Sequence, residues 1–182
     1  MQLLPTIIAL IGLSGSGKSS VSRALATHLG WPLHDIDQLI EQAAARPIPA
    51  IFATVGEAGF RDIETSVLQT AIAEPPAVIA TGAGIVVRET NRAMLAHQAY
   101  VVWLDAPTPR LLERLRAHDE VRPLLAGDDP AGRLEAQRQA RSAWYAEIAH
   151  VRIDTSHATI DELCTRIVEA LRQRPHASHR PE

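Results

Sequence analysis

The fold is decided by the stretch Gly12-Leu13-Ser14-Gly15-Ser16-Gly17-Lys18-Ser19, which matches the pattern G-x-x-x-x-G-K-[ST] at every position. The apolar residues 6–11 precede it, and residues 18–29 follow it with apolar side chains at helical spacing. This order brings backbone N–H groups and the positive end of a helix to one point, where phosphate oxygens bind. A chance match by a glycine-rich turn is expected in about one of a hundred chains of this length. The sequence therefore predicts a P-loop that binds a nucleoside triphosphate.

Individual residues of the P-loop have separate predicted roles. Lys18 would bridge the β- and γ-phosphates, and the hydroxyl group of Ser19 would ligate Mg²⁺. Further nucleotide contacts are predicted for Gly15, Ser16, Gly17 and Ser20. The loop identifies the nucleotide but not the acceptor, because hydrolases, nucleotide-dependent switches and small-molecule kinases share it.

Composition narrows the class of protein. Hydrophobic residues make up 46% of the 182 residues and aromatic residues only 4%, which favours an aliphatic core of helices packed on a sheet. The net charge of −3 argues against a nucleic-acid-binding domain. The single cysteine, Cys164, excludes an internal disulfide. The apolar N-terminal residues 1–11 lack the basic segment of a signal peptide and are too short to span a bilayer. We expect a cytoplasmic monomer with no membrane or nucleic-acid partner.

Strand and helix patterns alternate along the chain. Strands are predicted at residues 6–11, 32–36, 77–81, 100–104 and 151–154. Helices are predicted at residues 18–29, from Gln38, at 48–55 up to Gly56, and at 60–73, 108–117, 131–148 and 159–174. The alternation predicts one α/β domain over residues 1–174, with three layers (α/β/α) and a five-stranded parallel sheet. Residues 119–131 are rich in Asp, Gly and Pro and predict a mobile surface loop, and residues 175–182 a disordered tail.

Two carboxylates follow the second predicted strand, Asp35 and Asp37. Ligands bind at the carboxyl ends of parallel strands, so both side chains are candidates for the site beside the phosphates. One carboxylate would hold water on Mg²⁺, and the other would accept the proton of the acceptor hydroxyl. The alternative is helix capping, since an Asp at a helix start accepts backbone N–H bonds.

Two arginines are candidates for binding an acidic acceptor. Arg61 and Glu64 are three residues apart and share a helical face, so they either form a surface ion pair or Glu64 holds the Arg61 guanidinium toward a substrate carboxylate. Arg141 lies on another amphipathic helix, where a solvated arginine is the alternative.

The sequence resembles the shikimate kinases over residues 7–167. The resemblance is carried, in family order and approximate spacing, by the P-loop, Asp35-x-Asp37, Gly56-Glu57-x-x-Phe60-Arg61-x-x-Glu64, the Gly82-Ala83-Gly84 turn, Arg122-Pro123-Leu124-Leu125 and Arg141-x-x-x-Tyr145-x-Glu147. It implies a P-loop kinase fold with a lid at residues 119–131. It also implies ATP, Mg²⁺ and transfer to the 3-hydroxyl group of shikimate.

The resemblance also implies residue roles. Asp37 would bind the reacting hydroxyl group and serve as base, and Asp35 would support the metal through water. Substrate carboxylate would be held by Arg61, Arg141 and the backbone of the turn formed by Gly82, Ala83 and Gly84. Arg122 of the lid would neutralise the transferring phosphoryl group. Arg114 would contact the nucleotide, with Arg116 as a rival, and residues 154–158 would lie beside adenine.

Three positions depart from the family pattern. Ala83 replaces the middle glycine of three, and its methyl group would crowd the substrate or forbid a positive φ. Ala45 replaces a glycine, which we expect to be harmless on a helix, and Pro47 replaces a more usual serine.

Other interpretations are retained. Asp105 follows an apolar run, as a metal-binding aspartate of a Walker B motif would, or simply marks a strand exit. The eight histidines show no ligand spacing. The alternative functions are a kinase of another small hydroxy acid such as gluconate, or a ligand-sensing module without turnover.

Overall fold

The computed structural model describes residues 6–117 and 129–173. The proposed tail at residues 175–182 lies outside these ranges, as do Arg122 and residues 119–128 of the proposed lid.

The sheet has five parallel strands in the order β2-β3-β1-β4-β5, which confirms the predicted fold class. The strands are β1 (Ile7–Ile11), β2 (Leu33–Asp35), β3 (Ala77–Ala80), β4 (Tyr100–Asp105) and β5 (Val151–Asp154). Leu10 of β1 pairs with Ala80 of β3, and Ala80 pairs with Asp35 of β2. The segments that follow these three strands therefore leave the sheet side by side, at its carboxyl edge.

Seven helices surround this sheet in the described residues: α1 (Lys18–Leu29), α2 (Ile36–Ala44), α3 (Ile48–Ile72), α4 (Glu89–Gln98), α5 (Thr108–Arg116), α6 (Pro130–Ile148) and α7 (Ile160–Arg172). A short 3-10 turn covers Ile85–Val87. Helix α4 was not predicted, because its apolar residues, 93–96, form one short run after four polar residues and give no stripe at helical spacing. Among the described helices, none combines the length and apolar character needed to cross a bilayer.

The core lies on both faces of the sheet, because side chains alternate along a strand. Ile7, Ala9 and Ile11 of β1 face one apolar cluster, which includes buried side chains from α2 to α6. Ile8 and Leu10 face a second cluster, which is built with α1 and α7 and includes the buried Cys164. This arrangement confirms the three predicted layers.

Two positions between β2 and β3, Ala45 and Gly56, have a backbone with positive φ. Gly56 has φ 68° and ψ −176°, a non-helical conformation that interrupts α3. The sequence predicts a helix that ends before this residue. Ala45 ends α2 in the left-handed region, with φ 50°. The expectation that Ala45 is harmless on a helix is wrong, because this is a conformation that glycine adopts without strain and alanine does not.

Candidate active site

The P-loop has a backbone that only glycine permits at several positions. Gly12, Gly15 and Gly17 have φ of 141°, 81° and 94°. A Cβ atom on Gly12 would lie 2.2 Å from the carbonyl oxygen of Leu104, and one on Gly15 would lie 2.6 Å from that of Leu111. The glycines therefore permit the turn itself and also its close approach to β4 and α5.

Lys18 lies over this loop rather than in solvent. Its ammonium group donates to the carbonyl oxygens of Gly12 at 2.8 Å and Leu13 at 2.9 Å, and the residue is 8% exposed. Ser19 and Ser20 follow on the exposed side of the first turn of α1. A positive side chain, a helix N-terminus and two hydroxyl groups thus share one end of the loop, which suits a phosphate chain.

Asp35 and Asp37 differ in what they contact. Asp35 caps α2, since its Oδ1 accepts hydrogen bonds from the backbone N–H of Asp37 at 3.1 Å and of Gln38 at 3.3 Å. Asp37 lies in the first turn of α2, half-buried. A Cβ atom on Gly82 would be only 2.8 Å from Asp37 Oδ1, so this carboxylate faces the turn after β3.

Arg61 and Glu64 form a buried pair, so the alternative of a surface ion pair is wrong. Arg61 is 4% exposed and Glu64 1%. Nη1 of Arg61 donates to both Glu64 oxygens at 2.9 Å, and Nη2 donates to Glu57 at 3.2 Å. Burial raises the pKa of Glu64, and the Arg61 charge opposes that rise. The pair is therefore an oriented cation with one carboxylate already buried beside it.

The Arg61 guanidinium packs on the turn after β3. A Cβ atom on Gly84 would lie 2.3 Å from Arg61 Nη2, although the φ of Gly84 is −92°. Gly84 is therefore required for space and not for backbone conformation. Ala83, by contrast, does not have a positive φ, because Ala45 is the only non-glycine residue with one in the described ranges. The expected conflict at Ala83 between a methyl group and a positive φ is therefore absent.

Arg141 reaches the same turn from α6. It is 9% exposed, and its Nη1 donates to the carbonyl oxygen of Ala83 at 3.2 Å and to Gln137 at 3.3 Å, so the solvated alternative is wrong. Tyr145, one helical turn later, donates its hydroxyl proton to the same Ala83 oxygen at 2.5 Å. Sequence reasoning assigned no role to Tyr145, since its contact lies 62 residues away along the chain.

The structure distinguishes between Arg114 and Arg116, the two arginines of α5 that are candidates for contacting the nucleotide. Arg114 donates to the carbonyl oxygen of Gly15 at 3.3 Å and to the hydroxyl group of Thr155 at 2.9 Å, whereas Arg116 is exposed. Arg114 thus joins the P-loop to residues 154–158. Within that segment, hydrogen bonds from Ser156 lower the pKa of the exposed Asp154.

Asp105 has a structural role. It is 5% exposed, and its two oxygens accept hydrogen bonds from Arg138 at 3.0 Å and Arg152 at 2.6 Å. Both oxygens are therefore occupied, which argues against the Walker B interpretation. Within residues 6–117 and 129–173, no cluster of three or more His, Cys, Asp or Glu residues could hold a metal ion.

Comparisons with known proteins identify the family of this chain. The family model for shikimate kinase matches residues 14–172. A shikimate kinase of Symbiobacterium thermophilum is 46% identical over 168 residues, covering 92% of this chain and 97% of the relative. One from Synechococcus elongatus is 48% identical over 144 residues, covering 79% of this chain and 74% of the relative.

Solved structures show the same fold. The structure of shikimate kinase from Acinetobacter baumannii in complex with shikimate has a TM-score of 0.86 at 36% identity, covering 90% of this chain and 91% of that one. A gluconokinase from Sinorhizobium meliloti, with a TM-score of 0.64 at 19% identity over 94% of both chains, shares the fold alone. From its P-loop to its last helix, the chain belongs to the shikimate kinase family.

Proposed function

We propose that this protein transfers the γ-phosphoryl group of ATP to the 3-hydroxyl group of shikimate, giving shikimate 3-phosphate. One observation carries the proposal: two buried arginines, Arg61 and Arg141, converge on the turn of residues 82–84, next to Asp37. The register of β2, β3 and β1 sets this group beside the P-loop. The high identity to shikimate kinases over nearly the whole chain supports it further.

The acceptor carboxylate is bound by Arg61, Arg141 and backbone N–H groups of the turn. A guanidinium group recognises a carboxylate through charge-assisted hydrogen bonds, worth roughly 1.5–3 kcal/mol each. Glu64 keeps the Arg61 guanidinium in place by its two hydrogen bonds. The acceptor is thereby oriented with a hydroxyl group toward Asp37.

Asp37 is the proposed base. It accepts the proton of the reacting hydroxyl group as the oxygen attacks the γ-phosphorus, and ADP departs as the P–O bond to the β-phosphate breaks. Lys18 stabilises negative charge on the transferring group, after exchanging its bonds to Gly12 and Leu13 for phosphate oxygens. Arg122, in the proposed lid outside the described residues, adds a second positive charge.

Nucleotide binding is proposed for the P-loop residues 15–20 and Arg114. The exposed hydroxyl group of Ser19 suits Mg²⁺, which is bound by few protein oxygens together with substrate phosphates rather than by an all-protein cage. Asp35 would support it through water, with the carboxylate that also caps α2. When bound, Mg²⁺ neutralises charge on the phosphates.

We propose further that the enzyme is a cytoplasmic monomer of one domain, which acts on a small-molecule acceptor and has no nucleic-acid partner. The acidic net charge of −3 supports the last point.

The test is ADP release by purified protein with ATP and a panel of hydroxy acids that includes shikimate and gluconate. We expect turnover with shikimate at least tenfold above that with gluconate in kcat/KM. Preference for gluconate would overturn the acceptor assignment. Saturable shikimate binding without ADP release would favour the ligand-sensing alternative.

A second measurement isolates the nucleotide site. Lys18 is the only lysine in the chain. An amine-reactive acyl phosphate of ATP should therefore label this one side chain, and excess ATP should prevent the labelling. Labelling that ATP does not reduce would contradict the assigned role of the loop.

A further inference from the structure

The carbonyl oxygen of Ala83 accepts two hydrogen bonds from the same helix. Arg141 Nη1 lies at 3.2 Å and Tyr145 Oη at 2.5 Å. The proposed function uses Arg141 for the acceptor carboxylate but gives Tyr145 no task. Tyr145 is 1% exposed, in a region where a hydroxyl group without a partner would be costly. The hydrogen bond from Tyr145 therefore either stabilises the fold or fixes the geometry of the acceptor site.

The hydrogen bond from Tyr145 also fixes the direction of the peptide between Ala83 and Gly84. The Ala83–Gly84 peptide is trans, because the only cis bond in the described residues joins Pro75 and Pro76. In a planar trans peptide the C=O and N–H groups point in opposite directions. A hydroxyl group that fixes the Ala83 carbonyl toward α6 therefore turns the Gly84 N–H away from α6.

The Gly84 side of this peptide faces Arg61. A Cβ atom on Gly84 would lie 2.3–2.6 Å from the Arg61 guanidinium atoms. The turn is thus held between a cation from α3 on one side and two donors from α6 on the other. The Ala83 carbonyl group can turn away from α6 only if the bonds from both Tyr145 and Arg141 are lost. Because the proposed function assigns Arg141 to the acceptor carboxylate, Tyr145 is the donor that remains for this carbonyl group.

Neighbouring carbonyl groups are held in the same way. The buried Asn91 donates to the carbonyl oxygen of Ile85 at 3.1 Å, and Arg92 donates to that of Val86 at 2.7 Å. These bonds fix the segment after the turn on α4. Ile85 and Val86 are therefore held in place by α4. The hydrogen bond from Tyr145 restricts rotation of the preceding peptide, between Ala83 and Gly84.

We propose that Tyr145 is a positioning residue of the acceptor site, which orients the Ala83–Gly84 peptide so that the Gly84 N–H donates to the acceptor carboxylate beside Arg61 and Arg141. The inference rests on the proposed function, since it takes shikimate as the acceptor. Burial also raises the pKa of Tyr145, so the hydroxyl group stays a donor throughout the working pH range.

The test is Tyr145→Phe, which keeps the ring that packs 5.7 Å from the ring of Trp103 and removes only the hydroxyl group. We expect KM for shikimate to rise about 5- to 20-fold, which corresponds to one hydrogen bond, while KM for ATP stays within twofold of wild type. The matched control is Tyr100→Phe. Tyr100 is also buried but belongs to the cluster on the other face of the sheet, so both constants should stay near wild type.

A purely structural role predicts a different result. It would lower the melting temperature of Tyr145→Phe and leave KM for shikimate within twofold of wild type, which would overturn the proposal. An analogue with a hydroxymethyl group in place of the carboxylate adds a second criterion. Its inhibition constant should not change in Tyr145→Phe, and an increase equal to that for shikimate would also overturn the proposal.

Different results would refute the proposed function and the positioning role of Tyr145. Wild-type protein without activity on shikimate would refute the function, and the KM ratio is then taken with whichever hydroxy acid of the panel is phosphorylated. If Tyr145→Phe does not fold, the amide resonance of Gly84 in wild-type protein decides. It should shift with shikimate and not with the hydroxymethyl analogue, and an unshifted resonance would refute the role.

Discussion

The nucleotide side and the acceptor side of this site are built differently. The main part of the nucleotide side is eight consecutive residues, 12–19, whose backbone conformation depends on glycines with positive φ. The acceptor side is assembled from α2, α3, the turn after β3 and α6, and depends on buried charged and polar side chains. A short segment can specify a phosphate site because backbone N–H groups do the binding. A carboxylate site needs cations oriented by partners that are distant in sequence.

This difference has an energetic counterpart. The backbone of the P-loop takes its shape from its glycines, and Lys18 and Arg114 add hydrogen bonds to its carbonyl oxygens. Arg61, by contrast, is buried with Glu64, and each requires the other. Changes on the nucleotide side should therefore alter rate more than stability. Changes to the buried pair of Arg61 and Glu64 on the acceptor side should alter both.

The largest effect is expected for Lys18→Met, which keeps the apolar stem and removes the charge. We expect kcat to fall on the order of 10²–10³-fold, because in the proposed mechanism Lys18 stabilises charge that develops in the transition state. The melting temperature should fall only slightly, although the buried ammonium group gives up its bonds to Gly12 and Leu13. Near-normal kcat in the folded variant would remove the kinase mechanism.

The two aspartates at the start of α2, Asp35 and Asp37, test the boundary between the two sides. Asp37→Asn should lower kcat on the order of 10²-fold while ATP still binds, because an amide cannot accept the hydroxyl proton. Asp35→Asn should keep its melting temperature, since Asn caps a helix about as well as Asp, and should raise the Mg²⁺ concentration needed for half-maximal rate. Full activity of Asp37→Asn would mean that another group is the base.

Arg61→Ala and Arg141→Ala compare the two acceptor cations. Both should raise KM for shikimate about 10- to 100-fold and leave KM for ATP unchanged. Only Arg61→Ala should also lose about 3–5 kcal/mol of stability, because it leaves Glu64 buried without its cation. Kinetics and urea unfolding of both variants check this, and equal stability losses would contradict the comparison.

The pH dependence of that loss has a defined sign. Burial already raises the pKa of Glu64 in the wild type, and removal of Arg61 raises it further. A carboxyl group with a raised pKa in the folded state costs stability as pH rises through that pKa. Urea unfolding of Arg61→Ala should therefore show a smaller deficit near pH 5 than near pH 8. A deficit independent of pH would mean that Glu64 is rehydrated in the variant.

The smallest effect concerns Ala45, which is on neither side. Ala45→Gly should stabilise the protein by about 0.5–1 kcal/mol, because it relieves a left-handed backbone at the end of α2. The control Ala44→Gly changes the last residue of α2, which has a helical backbone, and should destabilise rather than stabilise the protein. Both variants should keep wild-type kinetic constants. Destabilisation by Ala45→Gly would contradict the assigned strain.

The predicted elements show where local patterns suffice. The bounds of α1 agree with the prediction from Lys18 to Leu29, because Gly17 and Gly30 flank a clear apolar stripe. Helix α2 begins at Ile36 rather than Gln38, because Asp35 caps it. Helix α4 was missed because its burial comes from tertiary packing and not from a periodic sequence.

The sequence by itself determined the P-loop and the parallel sheet. It also predicted that Asp37, Arg61 and Arg141 belong to one site, through the resemblance of their motifs to a family. Backbone-dependent features of this kind follow from glycine and from apolar periodicity, which are local properties. Only the tertiary structure decided that Arg61 is buried with Glu64, that Arg114 rather than Arg116 meets the P-loop, and that Tyr145 holds the Ala83 carbonyl. These are contacts between separate elements, and their geometry is set by how helices pack on the sheet.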